Sequence, residues 1–419
     1  MMMHSSPSHD AEIIEGARVI LSDRVEVVSV RIEGGRITGL DVARDGARVI
    51  AGKGRVLAPA FVDVHGDAFE RQLMPRPSVM VPTEAALLET DRQLAANGIA
   101  TAYHALTLSW EPGLRSVETG WQVLRALESL RPRLTVENRV QLRWETFCPE
   151  AEPLIAHALG MPERPALAFN DHTSAVLLHP SIALHDRPFD LVSDYPVTDL
   201  DAPGFLAKMG DRAKRAHMSR EDFVALIARV WDRRPGVGTS IARMADLAKG
   251  APMLSHDDSQ IETRSFYRGL GANIAEFPMH ERVFLAARAA GDWIVLGAPN
   301  AMRGGSHLGS PGAADMIRRG LCDILASDYF YPAMLGAVTR LLADGVGDLS
   351  ALWRLVSANP AAAMGLADRG QIAPGLRADL VLLDWPDGHM PAPLQTWVAG
   401  RGGYSALRPD SFAIGGSDA

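Results

Sequence analysis

Six histidine and carboxylate residues each stand at or just beyond the end of a mostly apolar run. They are His65, Asp67, Glu145, His172, His256 and Asp328. Histidine and carboxylate ligands in combination suit Zn²⁺, Mn²⁺ or Fe²⁺ better than Ca²⁺ or Mg²⁺. Any one of these residues could equally be a loop residue, a buried hydrogen-bonding group or a helix cap. Six of them in the same relation to an apolar run predict a metal-binding site.

Six ligands are too many for a single tetrahedral ion that keeps one open position. Two divalent ions about 3.5–4 Å apart would use them all and would share a water that becomes a hydroxide-like nucleophile near neutral pH. Many two-metal barrels bridge their ions with a carboxylated lysine, but no lysine occurs between Lys53 and Lys208. We therefore predict that Glu145 is the bridge. Zn²⁺ is the expected metal, with Mn²⁺ and Fe²⁺ as alternatives.

Asp328 is the predicted catalytic residue. At the end of Ile-Leu-Ala-Ser-Asp328 it could hold one ion and also accept the proton of the attacking water. The alternative is that Asp328 caps the following helix. The apolar run before it and the Ser-Asp-Tyr ending favour the role in the site.

Four further residues are candidates for substrate binding. Arg71 and Arg76 follow the first apolar run, and Arg303 and His307 flank a Gly-Gly pair further along the chain. Arginine side chains and glycine backbone N–H groups are suited to phosphate oxygens. The alternative is that these are ordinary surface loops.

The elements that must position these residues alternate between short apolar strands and amphipathic helices, which is typical of a parallel sheet. We predict eight strands: Ala60–His65, Ile99–Leu108, Gln141–Phe147, Ala166–His172, Pro252–His256, Ala272–Phe277, Trp293–Ala298 and Asp323–Ser327. The helical patterns between them include Thr83–Ala96, Gly120–Leu130, Glu221–Trp231 and Met279–Ala290. Eight such units predict an α/β fold, a (β/α)8 TIM-like barrel whose active site lies at the carboxyl ends of the strands.

The two ends of the chain have a different pattern, with alternating apolar residues and Gly-Gly or Asp-Gly turns that indicate antiparallel strands. We predict that residues 1–57 and 370–419 form one small β-sandwich domain and that residues 58–369 form the barrel. Residues 173–250 are long for one connection, so we expect helices there that cover the site.

Composition limits the class of protein. The chain has 419 residues, 47% of them hydrophobic, and a formal net charge of −8, which argues against nonspecific nucleic-acid binding. No apolar run is long enough to span a membrane, and residues 1–10 lack a signal pattern. Two distant cysteines, Cys148 and Cys322, fit free thiols in the cytoplasm. The expected partner is an anionic small-molecule substrate, and homo-oligomer formation stays open.

The ends of the barrel segment carry a family resemblance. The split sandwich, the Ala60–His65 start and the Ile372–Val381 ending resemble the amidohydrolase superfamily of metal-dependent hydrolases over nearly the whole chain. Narrower marks are similar to a diphosphatase branch that acts in alkylphosphonate metabolism. They are His-Gly-Asp in place of His-x-His at 65–67, and residues 74–77, 171–173, 255–258, 274–278, 297–307 and 326–329.

This resemblance implies that the six residues are metal ligands and that water attacks phosphorus, releasing pyrophosphate from a ribosyl 5-triphosphate. Two features depart from it. Residues from 174 to about 220 do not follow the branch, and the superfamily takes its last two histidines from the fifth and sixth strands, whereas our strand count gives the fourth and fifth. Two other functions remain: hydrolysis of an amide, cyclic amide or amidine bond, and a non-catalytic barrel that has lost at least one ligand.

Overall fold

The computed structural model describes residues 11–306, 309–407 and 412–413. Seven short strands come first: β1 (Glu12–Glu15), β2 (Arg18–Ile20), β3 (Val25–Val27), β4 (Val30–Glu33), β5 (Arg36–Leu40), β6 (Arg48–Ala51) and β7 (Arg55–Pro59). Strands β4 and β5 form a hairpin whose turn residues, Gly34 and Gly35, have φ angles of 57° and 80°. Glycine adopts this left-handed backbone without strain, which explains the Gly-Gly pair between two apolar runs.

The barrel sheet contains eight strands: β8 (Phe61–Gly66), β9 (Ile99–Leu108), β10 (Glu137–Glu145), β11 (Ala166–Asn170), β12 (Met253–His256), β13 (Ile274–Glu276), β14 (Trp293–Gly297) and β15 (Ile324–Ala326). Each strand pairs in parallel with the next in chain order. The backbone of Asp328, just after β15, then bonds to β8 and brings the first and last strands together. The predicted (β/α)8 fold and all eight predicted strands are confirmed.

Helices connect and surround these strands. They are α1 (Glu70–Leu73), α2 (Thr83–Ala96), α3 (Val117–Leu130), α4 (Glu152–Leu159), α5 (His172–Leu177), α6 (Pro203–Arg215), α7 (Arg220–Trp231), α8 (Arg234–Leu247), α9 (Ile261–Gly269), α10 (Glu281–Ala289), α11 (Ala298–Arg303), α12 (Ala313–Arg318), α13 (Ala333–Ala343), α14 (Leu349–Arg354) and α15 (Ala358–Ala363). Short 3-10 turns occupy Arg131–Arg133, Pro149–Ala151 and Leu184–Asp186. Helix α2 has the predicted bounds.

Seven of the eight predicted strands differ from the structure by one to four residues at one or both ends, and only Ile99–Leu108 has the predicted bounds. The fourth strand ends at Asn170 instead of His172, because the Asp171 side chain accepts a hydrogen bond from Ser174 N and caps α5. The third strand begins at Glu137, four residues before the predicted start, because Glu137 pairs with Thr101 of β9. His172 therefore begins a helix just beyond the strand.

The long connection between β11 and β12 contains four helices, α5 to α8, and helices were expected in this segment. Helices α6 and α7 pack through a buried cluster that includes Phe205, Met209, Phe223 and Ile227. The half-buried Trp110, which follows β9, lies against this cluster with its ring 6.0 Å from that of Phe223. This part of the connection is thus in contact with a barrel loop.

Four strands follow the barrel: β16 (Leu380–Asp384), β17 (Ala392–Val398), β18 (Arg401–Ser405) and β19 (Phe412–Ala413). Both chain ends enter both remaining sheets, one in the order β18-β17-β16-β7-β2-β3 and the other β19-β6-β1-β4-β5. A shared core that includes Ile14, Val30, Leu57, Leu382 and Trp397 joins the two sheets. The β-sandwich of both chain ends is present, whereas the domain boundaries at 57/58 and 369/370 stay a prediction.

None of the helices in the described residues is both long enough and apolar enough to cross a lipid bilayer.

Candidate metal centre

His65, Asp67 and Asp328 come together because the barrel closes through their own backbone. Asp328 N donates to His65 O at 2.8 Å, and Asp67 N donates to Asp328 O at 2.9 Å. Side chains two residues apart on a strand point the same way, so His65 and Asp67 face the mouth of the barrel together. One ligand-type atom from each of the three lies within 4.8 Å of the others. Closure of the sheet and assembly of this ligand group are one event.

The close approach at this seam requires glycine at position 66. A Cβ on Gly66 would lie 2.7 Å from Asp63 Oδ2 and 3.0 Å from Ser327 Oγ. Asp63 is fully buried and accepts hydrogen bonds from both the backbone N and the hydroxyl of Ser327. The Asp63–Ser327 pair therefore joins the first and last strands just below the ligands.

A second ligand group contains His172, His256 and Asp257, whose candidate ligand atoms also lie within 4.8 Å of one another. His172 follows the fourth barrel strand and His256 ends the fifth, as the strand count predicted. Their rings meet edge to face with centroids 5.9 Å apart. Sequence analysis did not include Asp257 among the ligands, although it directly follows His256.

Glu276 is a site residue that sequence analysis missed. It ends β13, the sixth barrel strand, and is fully buried. Its Oε1 lies 3.0 Å from His65 Nδ1 and its Oε2 lies 2.8 Å from His256 Nδ1. The available signal was the same as for the other six residues, an acid at the end of an apolar run, Ile274-Ala-Glu276. Glu276 thus occupies the sixth-strand position at which the resemblance placed a histidine.

Glu145 is fully buried at the end of β10 and its two oxygens face the start of α5. His172 N donates to Oε2 at 3.0 Å, and Thr173 donates to Oε1 from its backbone N at 3.1 Å and its hydroxyl at 2.7 Å. His172 Nδ1 also lies 3.4 Å from Oε2. These contacts fix His172 relative to the barrel. The role of Glu145 as a bridge between two ions stays a prediction.

Arg143 is the second residue that sequence analysis missed. It precedes Glu145 by two positions, so its side chain points into the same mouth, and only 5% of it is exposed. Its Nη2 lies 3.0 Å from His256 Nε2 and its Nη1 lies 3.6 Å from Asp67 Oδ2. A buried guanidinium thus lies between members of the two ligand groups. No sequence signal distinguished it from an outward-facing strand arginine.

Comparisons with known proteins find similar sequences. A model of the amidohydrolase family, Amidohydro_3, matches residues 262–402. Alpha-D-ribose 1-methylphosphonate 5-triphosphate diphosphatase of Escherichia coli K12 is 29% identical over 384 residues, which cover 90% of this chain and 96% of that protein. The chain is thus similar to proteins of the amidohydrolase superfamily, and this similarity supports a hydrolase.

Solved structures share the fold of this protein. Phenylurea hydrolase B has a TM-score of 0.59 at 14% identity, covering 94% of this chain and 96% of that chain. D-hydantoinase from a Bacillus species has a TM-score of 0.59 at 12% identity, covering 96% of both chains. At these identities the likeness shows the fold alone.

Three junctions around the candidate site have a left-handed backbone at residues other than glycine. Asp257, Phe277 and Asp328 have φ angles of 57°, 52° and 55°. This conformation is costly for a bulky residue such as Phe277 and is found most often at functional sites. It places the Phe277 ring edge-on to both His65 and His256, with centroids 4.9 and 5.3 Å away. Phe277 therefore forms an apolar wall beside the two imidazoles.

The donor set of the candidate site fits divalent ions. Each of the two groups offers three ligands of His and carboxylate type, the number that leaves a catalytic ion an open position. Burial lowers the pKa of His256 to about 4, so its imidazole is neutral at pH 7, the form that binds a metal. Burial also raises the pKa of Asp328 to about 6, with Asp67 acting in the same direction. Asp328 therefore holds its proton more tightly than an exposed aspartate does.

Two open clefts border the candidate ligands. One, of about 270 Å³, is lined by Glu145, His172, Trp110, Arg115 and Arg212 among others. The other, of about 170 Å³, is lined by residues that include His256, Asp257, Phe277, Asn300 and Asp328. Arg115 pairs with Glu70 at 2.8 Å and lies 4.0 Å from Asp67. A substrate that reaches the ligands has space on either side of them.

The four residues predicted to bind substrate have different positions. Arg71 Nη2 donates to Tyr329 O at 2.6 Å, next to Asp328. Arg76 is exposed in a turn in which its carbonyl accepts from Val79 N. Arg303 is exposed at the end of α11, and His307 lies outside the described residues. Of the predicted set, only Arg71 has a described contact beside the site.

Proposed function

We propose that this protein is a member of the amidohydrolase superfamily that hydrolyses a phosphoanhydride bond in a ribosyl 5-triphosphate and releases pyrophosphate. The observation that carries the proposal is the buried Arg143 guanidinium, 3.0 Å from His256 and 3.6 Å from Asp67. A cation held inside the ligand cluster matches an anionic substrate, whereas a neutral amide offers no charge to match it. Arg71 and Arg115 add positive charge at the same mouth.

The similarity to the Escherichia coli diphosphatase supports the same conclusion, because it extends over 90% of this chain. The substrate in that protein's name carries a ribose, a 5-triphosphate and a methylphosphonate. Both ends of such a molecule are anionic. The two clefts on either side of the ligands offer space for a substrate that extends in both directions from its reacting bond.

The residues divide the work as follows. His65, Asp67 and Asp328 would hold one divalent ion, and His172, His256 and Asp257 would hold another; Zn²⁺ is the first choice, with Mn²⁺ or Fe²⁺ as alternatives. Such ions supply Lewis acidity and acidify water when bound. Asp328 accepts the proton of the attacking water at a carboxylate oxygen. Arg143 and Arg71 bind and orient phosphate oxygens.

Hydrolysis of an amide or cyclic amide is the second candidate. The fold neighbours include a phenylurea hydrolase and a D-hydantoinase, which favours it at the level of scaffold. Such a substrate would use the same ions but would need hydrogen-bonding and apolar contacts in place of arginines. Phe277 and Trp110 are the side chains near the ligands that suit it.

One assay separates the two candidates. Protein loaded with Zn²⁺, Mn²⁺ or Fe²⁺ is incubated with a panel of ribosyl and nucleoside triphosphates and with a panel of hydantoins and other cyclic amides. We expect pyrophosphate from the triphosphates and no ring opening of the cyclic amides. Ring opening without pyrophosphate release would replace the first proposal by the second. The Arg143→Met variant should lose the triphosphate reaction in particular.

A further inference from the structure

Glu276 contacts two histidines that belong to different ligand groups. Its carboxylate is fully buried in the barrel, with Oε1 3.0 Å from His65 Nδ1 and Oε2 2.8 Å from His256 Nδ1. Gln141 Nε2 donates to Oε1 at 2.6 Å. Both carboxylate oxygens therefore already face N–H groups or ring nitrogens, and each histidine presents the same ring atom, Nδ1, to the acid.

The tautomer of His256 follows from its other neighbour. Arg143 Nη2 lies 3.0 Å from His256 Nε2. A guanidinium only donates hydrogen bonds, so Nε2 must be the acceptor and the ring proton must lie on Nδ1. That proton points at Glu276, which as a carboxylate only accepts. His65 meets the other oxygen of the same carboxylate with the same ring atom.

We propose that Glu276 is a shared positioning residue that holds both His65 and His256 as Nδ1–H tautomers, so that Nε2 is the atom of each ring that binds a cation. At His256 the cation would take the place of the Arg143 donor. One carboxylate thereby sets the metal-binding face of a histidine in each ligand group. Metal-binding histidines commonly donate their second nitrogen to a carboxylate, which orients the ring and raises its basicity. Here a single acid does so for two rings.

A direct role for Glu276 as a metal ligand is the competing explanation, since Glu276, His65 and His256 also form a cluster of the right size. That role would require both histidines to bind through Nδ1. Two donors oppose it. Gln141 Nε2 already donates to Oε1, and with Nδ1 of His256 on a cation the ring proton would lie on Nε2, where it would face the Arg143 guanidinium, which only donates.

The inference rests on the proposed metal centre but does not depend on the identity of the substrate. It is tested first on the wild-type protein, with ¹⁵N-histidine labelling and loading with Cd²⁺, a spectroscopic probe for Zn²⁺ sites. We expect Nε2 of His65 and of His256 to couple to cadmium and Nδ1 of both rings to carry a proton. Coupling through Nδ1 of either ring would overturn the inference, whatever the enzyme hydrolyses.

The variant Glu276→Gln gives a second test. A carboxamide has one acceptor oxygen and one donor nitrogen, so it can accept from only one of the two Nδ1–H groups. The other histidine must then move its proton to Nε2, which removes one cation ligand from one group. We expect the variant to bind one of two Zn²⁺ ions about 10–100-fold more weakly, and one histidine to change tautomer in the metal-free protein.

Asp91→Asn is the matched control. Asp91 is a buried carboxylate that accepts hydrogen bonds from Thr135 N, Val136 N and the Asn138 amide, and it contacts no histidine ring in the described contacts. It should lose stability and keep both ions at wild-type affinity. If Glu276→Gln folds and also keeps both ions at wild-type affinity, Glu276 is not a positioning residue. If it does not fold, the cadmium measurement on the wild-type protein still decides.

Discussion

Arg187 and Asp190 form an ion pair that connects the insertion after β11 to the candidate site. Their side chains are 3% and 4% exposed, and Arg187 Nε lies 2.9 Å from Asp190 Oδ1. Arg187 Nη2 also donates to Asp257 O at 3.3 Å, and Arg187 O accepts from Ser259 Oγ at 2.7 Å. We predict that Arg187→Met destabilises the protein strongly and disturbs the turn that holds Asp257.

The expected size follows from burial. Removal of one partner of a buried ion pair leaves an uncompensated charge and costs about 3–5 kcal/mol. Lys214 and Asp211 form an exposed ion pair with the same sequence separation of three residues. Their charged atoms lie 3.5 Å apart, and their side chains are 81% and 83% exposed. Exposed pairs contribute about 0–1 kcal/mol, so Lys214→Met is the matched control and should change the free energy of unfolding little.

The sign of the pH dependence is a further check. Burial raises the pKa of Asp190 and Arg187 lowers it, so loss of Arg187 raises it further above the unfolded value. A carboxyl whose pKa is raised by folding loses stability as pH rises toward the folded pKa. The deficit of Arg187→Met should therefore be larger at pH 8 than at pH 5.

The assay is urea denaturation at fixed metal concentration, in which a shift of the midpoint at constant slope reports stability. The double variant Arg187→Met with Asp190→Asn should recover at least about half of the loss, because neither charge remains unpaired. A cost of Arg187→Met below about 1 kcal/mol, or no recovery in the double variant, would refute the reasoning.

Three further predictions concern the centre and the opposite end of the barrel. Asp328→Asn should fold and lower kcat/KM for pyrophosphate release about 10²–10⁴-fold, the usual contribution of a general base. The control variant Asp348→Asn, at a helix-capping aspartate, should have a nearly normal kcat/KM. Near-normal turnover of Asp328→Asn would remove Asp328 from the mechanism. Removal of metal by a chelator should abolish turnover and lower Tm, because an ion that binds only the folded state stabilises it. Addition of Zn²⁺, Mn²⁺ or Fe²⁺ should restore both turnover and Tm. Full activity in protein that metal analysis shows to contain no ion would contradict the metal centre. Burial alone would raise the pKa of Glu137, but Arg369, Arg377 and Arg139 lower it to about 2. The stabilisation that Glu137 contributes is therefore complete above the ordinary pKa of 4.5 and is lost as pH falls toward about 2. Glu137→Gln should be less stable at pH 7 and should lose less stability over that acid range, and an unchanged acid profile in a denaturation series would count against this prediction.

The local sequence was sufficient to predict the position of a ligand-type residue wherever one apolar run ended in one polar residue. Each of the predicted ligands lies at the carboxyl end of a barrel strand, because in a parallel barrel these ends share one mouth. Helix α2 was predicted residue for residue, because its pattern begins after a proline and ends before Asn-Gly. Such signals depend only on near neighbours along the chain.

The features that could not be predicted from the sequence depend on the direction in which a side chain points and on partners far away along the chain. Arg143 and Arg139 both stand on β10, yet Arg143 lies among the ligands and Arg139 pairs with Glu137 at the other end of the strand. Only the closed barrel distinguishes them. Arg76 and Arg303 are exposed. The position of an arginine in a loop after a strand is therefore not enough to predict that its side chain reaches the mouth of the barrel. Glu276 has the same local signal as the predicted ligands, and only the closed barrel shows that its carboxylate lies between His65 and His256.

Fold and chemistry share the same contacts at the seam between β8 and β15. The hydrogen bonds of Asp328 with His65 and Asp67 close the barrel, and the side chains of the same three residues form one ligand group. Asp63 holds Ser327 directly beneath them. An ion bound by this group would therefore join the first strand to the last and stabilise closure of the sheet. In the described contacts the second group is connected to the first by Glu276, by Arg143 and by the His65 and His256 rings, which stack with centroids 5.4 Å apart. Glu276 and Arg143 are buried side chains of opposite charge, and together with the stacked imidazoles they provide routes by which occupancy of one group can affect the other.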